Sequence, residues 1–174
     1  MERKPIDLTS FTAHPHALWD WTWFLLASGD LAAGKYNAMT VSWGALGFIW
    51  NKPLAMVVVR PTRYTFGFMN DFASFTLSAF DQSHRKALEY LGSRSGRNED
   101  KIKASGLTLQ SATQVAAPGF AEAELVLECR KVYWQDIDPS HFLDTRIDQL
   151  YNKDYHRIFF GEVVAITGTD KYTG

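Results

Sequence analysis

Three short segments of the sequence combine residue types that could hold a planar ligand carrying an anionic group. The first, residues 37–44, reads Asn-Ala-Met-Thr-Val-Ser-Trp-Gly and places small and hydroxyl side chains at the end of a predicted strand. Backbone N–H and C=O groups in such a segment can hydrogen-bond the edge of a flat ring. An ordinary strand end with Trp43 packed in the core explains the segment equally well, since tryptophan is largely buried on average.

Two further segments carry the positive charge that an anionic group requires. Residues 60–65 contain two arginines and two threonines directly after a predicted buried strand, and such side chains can bind a phosphate through charge-assisted hydrogen bonds. Residues 92–101 combine small residues with three basic side chains beside a predicted helix start, where backbone N–H groups favour an anion. Each segment alone also fits a solvated turn or loop.

Common catalytic and nucleotide-binding motifs are absent from the sequence. It contains no G-x-G-x-x-G, no G-x-x-x-x-G-K-[ST], no H-E-x-x-H and no G-x-S-x-G. His14 and His16 could form a metal-binding pair, but a third ligand is not evident, so surface histidines are the favoured interpretation. We therefore predict no metal site.

Length and composition indicate one globular domain spanning residues 1–174, with 46% apolar and 21% charged residues. Eighteen basic and nineteen acidic residues give a net charge of -1, which argues against a general nucleic-acid or membrane-surface binder. The single cysteine, Cys129, excludes an intramolecular disulfide and suits a reducing compartment. Because neither a signal-peptide pattern nor a run of ~20 apolar residues is found, we expect a cytoplasmic protein without membrane association.

Alternating and apolar runs predict five strands, at residues 36–43, 54–60, 74–80, 121–134 and 158–168. Within residues 14–26, Trp19, Trp21 and Trp23 alternate with polar residues, which is a weaker strand signal; Pro15 could instead begin a turn. The pattern is typical of a mostly antiparallel barrel or sandwich.

The predicted helices are few and short. Asp81 or Ser83 can cap a helix that ends near Gly92, and Asn98 can cap a second helix that ends before Gly106. A third helical piece is possible within residues 139–150.

The three segments, taken with others in chain order, resemble the flavin reductase-like family of FMN-binding split-barrel proteins, and within it the flavoredoxin-like branch. The resemblance rests on residues 37–44, 50–53, 63–65, 75–78, 95–101, 106–108 and 160–164. These motifs cover most of the chain.

The resemblance implies a mainly β fold, a six-stranded antiparallel Greek-key split barrel with a few inserted helices. It also implies a homodimer with FMN at the subunit interface. The aromatic segment around Trp19, Trp21 and Trp23 is then a candidate dimer contact, since large apolar patches mark interfaces.

The resemblance also assigns roles to individual residues. At the ring, Asn37 is expected to orient the flavin, the backbone from Met39 through Thr40, Val41 and Ser42 to supply contacts, and Trp43 to pack beside the isoalloxazine. At the phosphate, Arg63, Tyr64, Thr65, Ser95 and Lys101 are expected to hold the phosphate and ribityl oxygens. His141 and Phe160 are placed near the ring face, where a nicotinamide or redox partner approaches.

The implied activity is that of an FMN-dependent oxidoreductase of the flavin reductase type, with NADH or NADPH as electron donor and an unknown acceptor. Hydride transfer to a flavin needs no acid–base triad from the protein, so the missing triad does not argue against an enzyme. The alternatives are a flavoredoxin-like electron-transfer protein without nicotinamide activity, a non-catalytic flavin-binding module, and a barrel that has lost its cofactor.

Overall fold

The computed structural model describes residues 2–174, so that Met1, the first residue of the expected single domain, lies outside the described residues. Its framework is an antiparallel sheet of long strands. The strands are β1 (Lys4–Pro5), β2 (Phe24–Asp30), β3 (Lys35–Val41), β4 (Gly44–Ile49), β5 (Lys52–Val59), β6 (Ser74–Ala79), β7 (Leu109–Gln110), β8 (Gly119–Phe120), β9 (Leu125–Asp136) and β10 (Arg157–Gly168).

The main sheet has the strand order β3-β2-β6-β9-β10-β5-β4, with β1 added to β10. The strands β5, β6, β9 and β10 form a Greek key, because β10 returns to lie beside β5. The two end strands, β3 and β4, are joined only by Ser42 and Trp43, so the sheet must curl until its ends meet. The ends are neighbours in space without pairing, which leaves a seam in the barrel.

These observations confirm the mainly β, antiparallel class with inserted helices. The main sheet contains eight strands where six were expected. The additional strands include β2 and β4, whose apolar and glycine-rich sequences lack a clear alternation.

The strand predicted within residues 14–26 is wrong for most of its length. A short helix, α1 (Pro15–Ala17), leads into a π-helical turn over Leu18–Thr22, and β2 begins only at Phe24. Trp19 points inward against Phe24, with ring centroids 4.8 Å apart, whereas Trp21 is 69% exposed. Pro15 suits the first turn of a helix because its missing N–H is not needed there.

A hairpin that the sequence did not reveal connects β4 to β5. Ile49 pairs with Lys52, and the two residues between them, Trp50 and Asn51, have φ values of 57° and 55°. Positive φ at both positions is the signature of a type I′ turn, whose twist matches that of the strands. A turn was expected at Gly44, but Gly44 is the first residue of β4.

Three further α-helices accompany the sheet: α2 (Tyr64–Asp71), α3 (Arg85–Ser93) and α4 (Lys101–Ser105). Met69 of α2 packs into the core inside the barrel. The predicted cap at Asp81 is confirmed, since its carboxylate accepts from the Ser83 N–H at the start of a 3-10 turn that leads into α3. In residues 2–174 no helix is both long enough and apolar enough to span a membrane.

The other helix predictions are partly right. The N-cap of α4 is Asp100 rather than Asn98. The helix ends at Ser105, and Gly106 just after it takes the left-handed conformation expected of a terminating glycine. Residues 139–150 contain two 3-10 turns, at Pro139–His141 and Asp148–Leu150, instead of one helix.

Two apolar cores cover the two faces of the sheet. Inside the barrel, Phe24, Val57, Phe75, Leu127 and Phe159 pack together. Outside it, Leu25 and Ala38 pack against Leu88 and Leu91 of α3. Each fully buried side chain of this size contributes roughly 1.5–3 kcal/mol. Strand β3 therefore has one face in each core, which holds its far end rigidly at the seam.

Candidate functional site

The end of β3 forms one wall of a small cavity of about 240 Å³ at the seam of the barrel. The cavity is lined by Met39, Thr40, Val41, Ser42, Trp43, Val58, Arg60, Arg63, Gly92 and His156. Helix α3 fixes this wall, because the Thr40 hydroxyl donates to the Leu88 carbonyl. All five residues of the predicted ring-contacting segment thus face one cavity together with Arg63.

Two arginines enter the cavity from the chain that follows β5. Pro61 lacks the N–H that would extend the strand, and Arg63 precedes the first residue of α2 as its N-cap. Arg60 donates to the Leu150 carbonyl at 3.1 Å, and Arg63 donates to the Gly92 carbonyl. Burial and the neighbouring Arg60 lower the pKa of Arg63. Since both guanidinium groups bond to neutral carbonyls, their positive charge remains available to an anion.

Lys101 lies behind these arginines and is only 3% exposed. Its Nζ donates to the carbonyls of Leu91 at 2.8 Å and Arg94 at 3.0 Å, at the end of α3. Burial and the charge of Arg63 lower the pKa of Lys101 to about 8, against a smaller raising effect of Glu99. An ammonium group has three N–H donors, so Lys101 both anchors the end of α3 and keeps one donor for another acceptor.

Asn37 and Thr65 form an internal brace and are 4% and 1% exposed. The Asn37 Nδ2 donates to the Thr65 Oγ1 at 2.7 Å, joining β3 to α2. Gly96 packs against this pair, because a Cβ there would overlap the Asn37 amide and lie 2.9 Å from the Tyr64 ring. The brace therefore fixes the distance between β3, α2 and the loop that contains Gly96.

A second and larger cavity, of about 1120 Å³, lies beyond this brace. Its walls come from the start of β3, from α2 and from the residues leading into α4; Asn37, Arg63, Tyr64 and Lys101 all contribute. Arg63 is shared by the two cavities. Ser95 is half-buried beside them, and its Oγ accepts from the Arg97 N–H at 3.3 Å.

His141 and Phe160 lie away from both cavities within one chain. His141 ends an exposed 3-10 turn, with its Nε2 3.9 Å from an Asp138 carboxylate oxygen. Phe160 packs with Trp50 and Tyr133, at centroid distances of 6.2 Å and 5.7 Å. Within one chain, neither residue lies in the small cavity with residues 39–43.

His156 is a cavity residue that the sequence did not single out. Its ring lies 5.4 Å from Trp43, and its Nδ1 is 3.0 Å from the Tyr151 hydroxyl. Burial and the nearby charge of Arg60 lower the pKa of His156 to about 4, against a smaller raising effect of Asp154. The imidazole is therefore neutral near pH 7.

A positional signal for His156 exists in the sequence. It directly precedes the apolar run of β10, and Arg157 pairs with Val59, so His156 must lie beside Arg60. This neighbourhood becomes visible only once the pairing of β10 with β5 is known.

The described residues offer no metal centre. In residues 2–174, His, Cys, Asp and Glu side chains form no group of three placed to hold a metal ion. The chemistry of the small cavity is instead that of cations, backbone amides and one neutral imidazole.

The sequence profile of the flavin reductase like domain matches residues 23–173. The chain belongs to the flavin reductase-like family. This confirms the family indicated by the sequence motifs. An uncharacterised protein of Archaeoglobus fulgidus is 25% identical over 149 residues, covering 86% of this chain and 73% of that protein.

Solved structures share the fold. An FMN-binding domain of a flavin reductases-like enzyme from Shewanella baltica has a TM-score of 0.69 at 18% identity, over 96% of this chain and 77% of that chain. Flavoredoxin of Desulfovibrio vulgaris has a TM-score of 0.67 at 23% identity, over 95% and 77%. The NADH:FAD oxidoreductase of Streptomyces globisporus has a TM-score of 0.66 at 18% identity, over 89% and 81%. These likenesses show that the fold is shared.

Proposed function

We propose that this flavin reductase-like protein binds FMN and acts as an oxidoreductase of the NAD(P)H-dependent flavin reductase type. The observation that carries the proposal is the position of Arg60 and Arg63 beside residues 39–43 in one cavity. A ligand with an anionic end and a hydrogen-bonding ring fits this combination. The printed names of the Shewanella and Desulfovibrio proteins, an FMN-binding domain and a flavoredoxin, support the same ligand.

The basic side of the cavity fits the phosphate of FMN. Arg63 lies at the N-terminus of α2, where backbone N–H groups add to the attraction for an anion. Burial and the positive charge of Arg63 lower the pKa of Lys101, and a bound dianion relieves the repulsion between the two cations. We assign the phosphate and ribityl oxygens to Arg63, which borders both cavities, and to Lys101 and Tyr64, which line the larger cavity next to it. Thr65 and Ser95 are proposed as further contacts of the same oxygens.

The β3 side of the cavity fits the flavin ring. Strand β3 is an end strand, so alternate residues there have N–H and C=O groups that no other strand uses. Met39, Thr40, Val41 and Ser42 can offer these groups to the ring, and Trp43, 45% exposed, covers its edge. Asn37 acts on the ring through the brace that positions β3. FMN supplies the hydride-accepting chemistry when it is bound.

Arg60 and His156 define the electrostatics at the ring end. Arg60 provides a fixed positive charge, which favours the reduced, more negative form of a bound redox group. His156, held neutral by burial and by Arg60, can exchange a hydrogen bond without adding a second charge. We therefore place His156 beside the ring within the same chain.

The proposal is tested with the purified protein, FMN, NADH and NADPH. FMN binding is followed by quenching of flavin fluorescence, and turnover by the loss of reduced-nicotinamide absorbance. We expect saturable FMN binding and FMN-dependent oxidation of at least one nucleotide. Binding without oxidation of either nucleotide rejects the reductase activity but keeps the flavin site, and absence of binding rejects both.

A flavoredoxin-like electron carrier is the second candidate. The exposure of Trp43 at the mouth of the cavity favours it, because a protein partner can reach that edge. A carrier keeps its FMN through gel filtration and shows negligible nicotinamide oxidation. A reductase that uses flavin as substrate emerges colourless and regains activity when FMN is added.

We also propose that residues 1–174 form one domain, that the protein is a homodimer, and that it works in the cytoplasm. Large exposed apolar side chains, among them Trp21, Phe48 and Trp50, support the dimer. Phe160 and His141 can act on a flavin only from a second subunit, since they lie away from the cavities of their own chain. Sedimentation that shows a monomer at micromolar concentration rejects the dimer.

A further inference from the structure

Tyr151 supports the ring end of the small cavity from the loop that connects β9 to β10. It is half-buried, and its ring meets the His156 ring edge to face at 5.4 Å and the Trp43 ring at 6.5 Å. His156 and Trp43 line the cavity, and Tyr151 packs against both. Tyr151 can therefore influence a ligand in the cavity through its neighbours.

The two parts of the Tyr151 side chain have different partners. Its aromatic ring lies under Arg60, whose guanidinium carbon is 5.0 Å from the ring centre. Its hydroxyl oxygen is 3.0 Å from the Nδ1 of His156. Because phenylalanine keeps the ring and lacks the hydroxyl, a Tyr151→Phe substitution can remove the contact with His156 while the support of Arg60 remains.

The hydrogen bond between Tyr151 and His156 runs from the hydroxyl to the imidazole. Burial raises the pKa of Tyr151, against a smaller lowering effect of Arg60, so the hydroxyl keeps its proton near pH 7. The imidazole is neutral at that pH, because burial and Arg60 lower its pKa to about 4. A neutral imidazole has one donor and one acceptor nitrogen, and its acceptor nitrogen is a stronger base than a phenol oxygen. The Nδ1 of His156 is therefore the acceptor.

This direction determines which ring nitrogen of His156 carries the hydrogen. The hydrogen bond made by one imidazole nitrogen fixes the protonation of the other. Since Nδ1 accepts from Tyr151, Nε2 carries the hydrogen and is a donor. His156 is 9% exposed and lines the small cavity, so this donor is available to a ligand there and is largely shielded from bulk water.

We propose that Tyr151 is a positioning residue that holds His156 as the Nε2–H tautomer, so that the small cavity presents a neutral donor beside the charge of Arg60. Such a donor stabilises an acceptor atom that becomes more negative on reduction. The opposite tautomer presents a lone pair, which repels the same atom. The acceptor is the flavin ring if the proposed function holds, whereas the tautomer is a property of the protein without FMN.

The tautomer is measured by ¹⁵N NMR of the full-length protein, labelled at the histidine ring nitrogens and free of FMN, near pH 7. The His156 signals are those missing from a His156→Gln variant. We expect a protonated Nε2 and an unprotonated, hydrogen-bonded Nδ1. In Tyr151→Phe, the Nδ1 signal is expected to shift to that of an unbonded nitrogen, and the Nδ1–H form to become detectable. A proton on Nδ1 in the parent protein, or unchanged His156 signals in the variant, overturns the proposal.

Tyr155→Phe is the matched control. Tyr155 lies in the same loop, is half-buried, and its ring centre is 5.1 Å from that of Tyr151. Its hydroxyl donates to Asp148 at 2.6 Å instead of to His156. We expect Tyr155→Phe to leave the His156 signals unchanged. Equal changes in both variants indicate a general loosening of the loop and contradict a specific role of the Tyr151 hydroxyl.

A redox titration of the FMN-loaded protein measures the effect on the ligand. We expect Tyr151→Phe to lower the ratio of the affinities for reduced and oxidised FMN about threefold to tenfold, as the loss of one well-placed hydrogen bond requires. A tenfold change equals about 30 mV in a two-electron midpoint potential. Tyr155→Phe is expected to leave the ratio unchanged.

The ratio separates the proposed role from a merely structural one, because a loosened site weakens both redox forms alike. An unchanged ratio in Tyr151→Phe therefore overturns the action of the tautomer on the ligand. A protein that binds no FMN but shows the expected His156 signals rejects the proposed function and leaves the Tyr151–His156 assignment standing.

Discussion

The side-chain amide of Asn37 donates a 2.7 Å hydrogen bond to the hydroxyl oxygen of Thr65, and both side chains are almost completely buried. This bond connects β3, which lines the small cavity, to α2, whose N-cap is Arg63. The two halves of the candidate site are therefore held at a fixed separation by a contact that is almost completely buried.

Thr65→Val removes this bond while keeping the shape of the side chain. Asn37 is then left with only a long contact of 3.4 Å from its Nδ2 to the Ala38 carbonyl. We expect the free energy of unfolding to fall by about 1–3 kcal/mol, since a buried polar group loses its partner. Urea denaturation of the protein without FMN measures the loss. The exposed Thr108→Val variant is the control and is expected to change stability by less than about 0.5 kcal/mol.

Arg63→Gln separates a phosphate contact from a structural one. We expect FMN binding to weaken by about 1–3 kcal/mol, because a charge-assisted hydrogen bond is lost. Riboflavin, which lacks the phosphate, is expected to bind the variant and the parent protein equally. Fluorescence titration with both flavins measures the effect, and Arg97→Gln serves as the control. Equal losses for FMN and riboflavin contradict a phosphate role for Arg63.

Lys101 links FMN binding to proton uptake. Its pKa of about 8 in the free protein rises when a phosphate dianion approaches, so the complex holds more protons. FMN affinity is then expected to fall as the pH rises from about 7 to about 9. Calorimetry at about pH 8 in two buffers of different ionisation enthalpy counts the protons, and the phosphate of FMN does not interfere because its second pKa is ~6.

Two comparisons complete the proton measurement. Riboflavin binding is expected to take up no proton, and Lys101→Met is expected to abolish the uptake with FMN. Uptake that persists in the Lys101 variant assigns the proton to another group.

His156 makes the stability of the fold depend on pH. Its folded pKa of about 4 lies below the ordinary value of 6.5, so the unfolded chain takes up the proton first as the pH falls. Stability is therefore full above about pH 6.5 and is lost between about pH 6.5 and about pH 4, by roughly 3 kcal/mol at most. The charged groups near His156 are Arg60, which lowers its pKa, and Asp154, which raises it, and the neutral Tyr151 hydroxyl lies 3.0 Å from its Nδ1.

Urea unfolding of His156→Gln across this range tests the assignment. The variant is expected to lose less stability than the parent protein between about pH 6.5 and about pH 4. Substitution of the exposed His16 by glutamine is the matched control and should leave the parent's pH profile intact. An unchanged profile in the His156 variant shows that other groups cause the acid sensitivity.

Those parts of the fold with a long, regular pattern were predictable from the sequence. The twelve-residue strands β9 and β10 each alternate or remain apolar over most of their length, and α3 repeats its apolar residues with helical spacing. Residues 14–26 were not, because the spacing of their tryptophans fits a strand while Trp19 is in fact drawn into the core from a helical turn. In this segment, tertiary packing of Trp19 determined the structure, and the local sequence pattern did not.

The candidate site was predictable to the extent that short motifs define it. The segment from Met39 to Trp43 and Arg63 do meet in one cavity. Lys101 lies close to Arg63, as expected. Its hydrogen bonds to the carbonyls of Leu91 and Arg94 could not be predicted from the motif. His156 was missed because it follows a loop of irregular sequence, and its position depends on the pairing of β10 with β5, a relationship between distant parts of the chain.

The seam between β3 and β4 has a consequence for how the chain behaves before it meets its ligand. An end strand with free N–H and C=O groups is a template on which another chain can add a strand, and such edges promote aggregation. A ring bound along β3 occupies that edge. We therefore expect flavin supply during synthesis to act as a protection against self-association, so that the yield of dispersed protein depends on a small molecule as well as on the sequence.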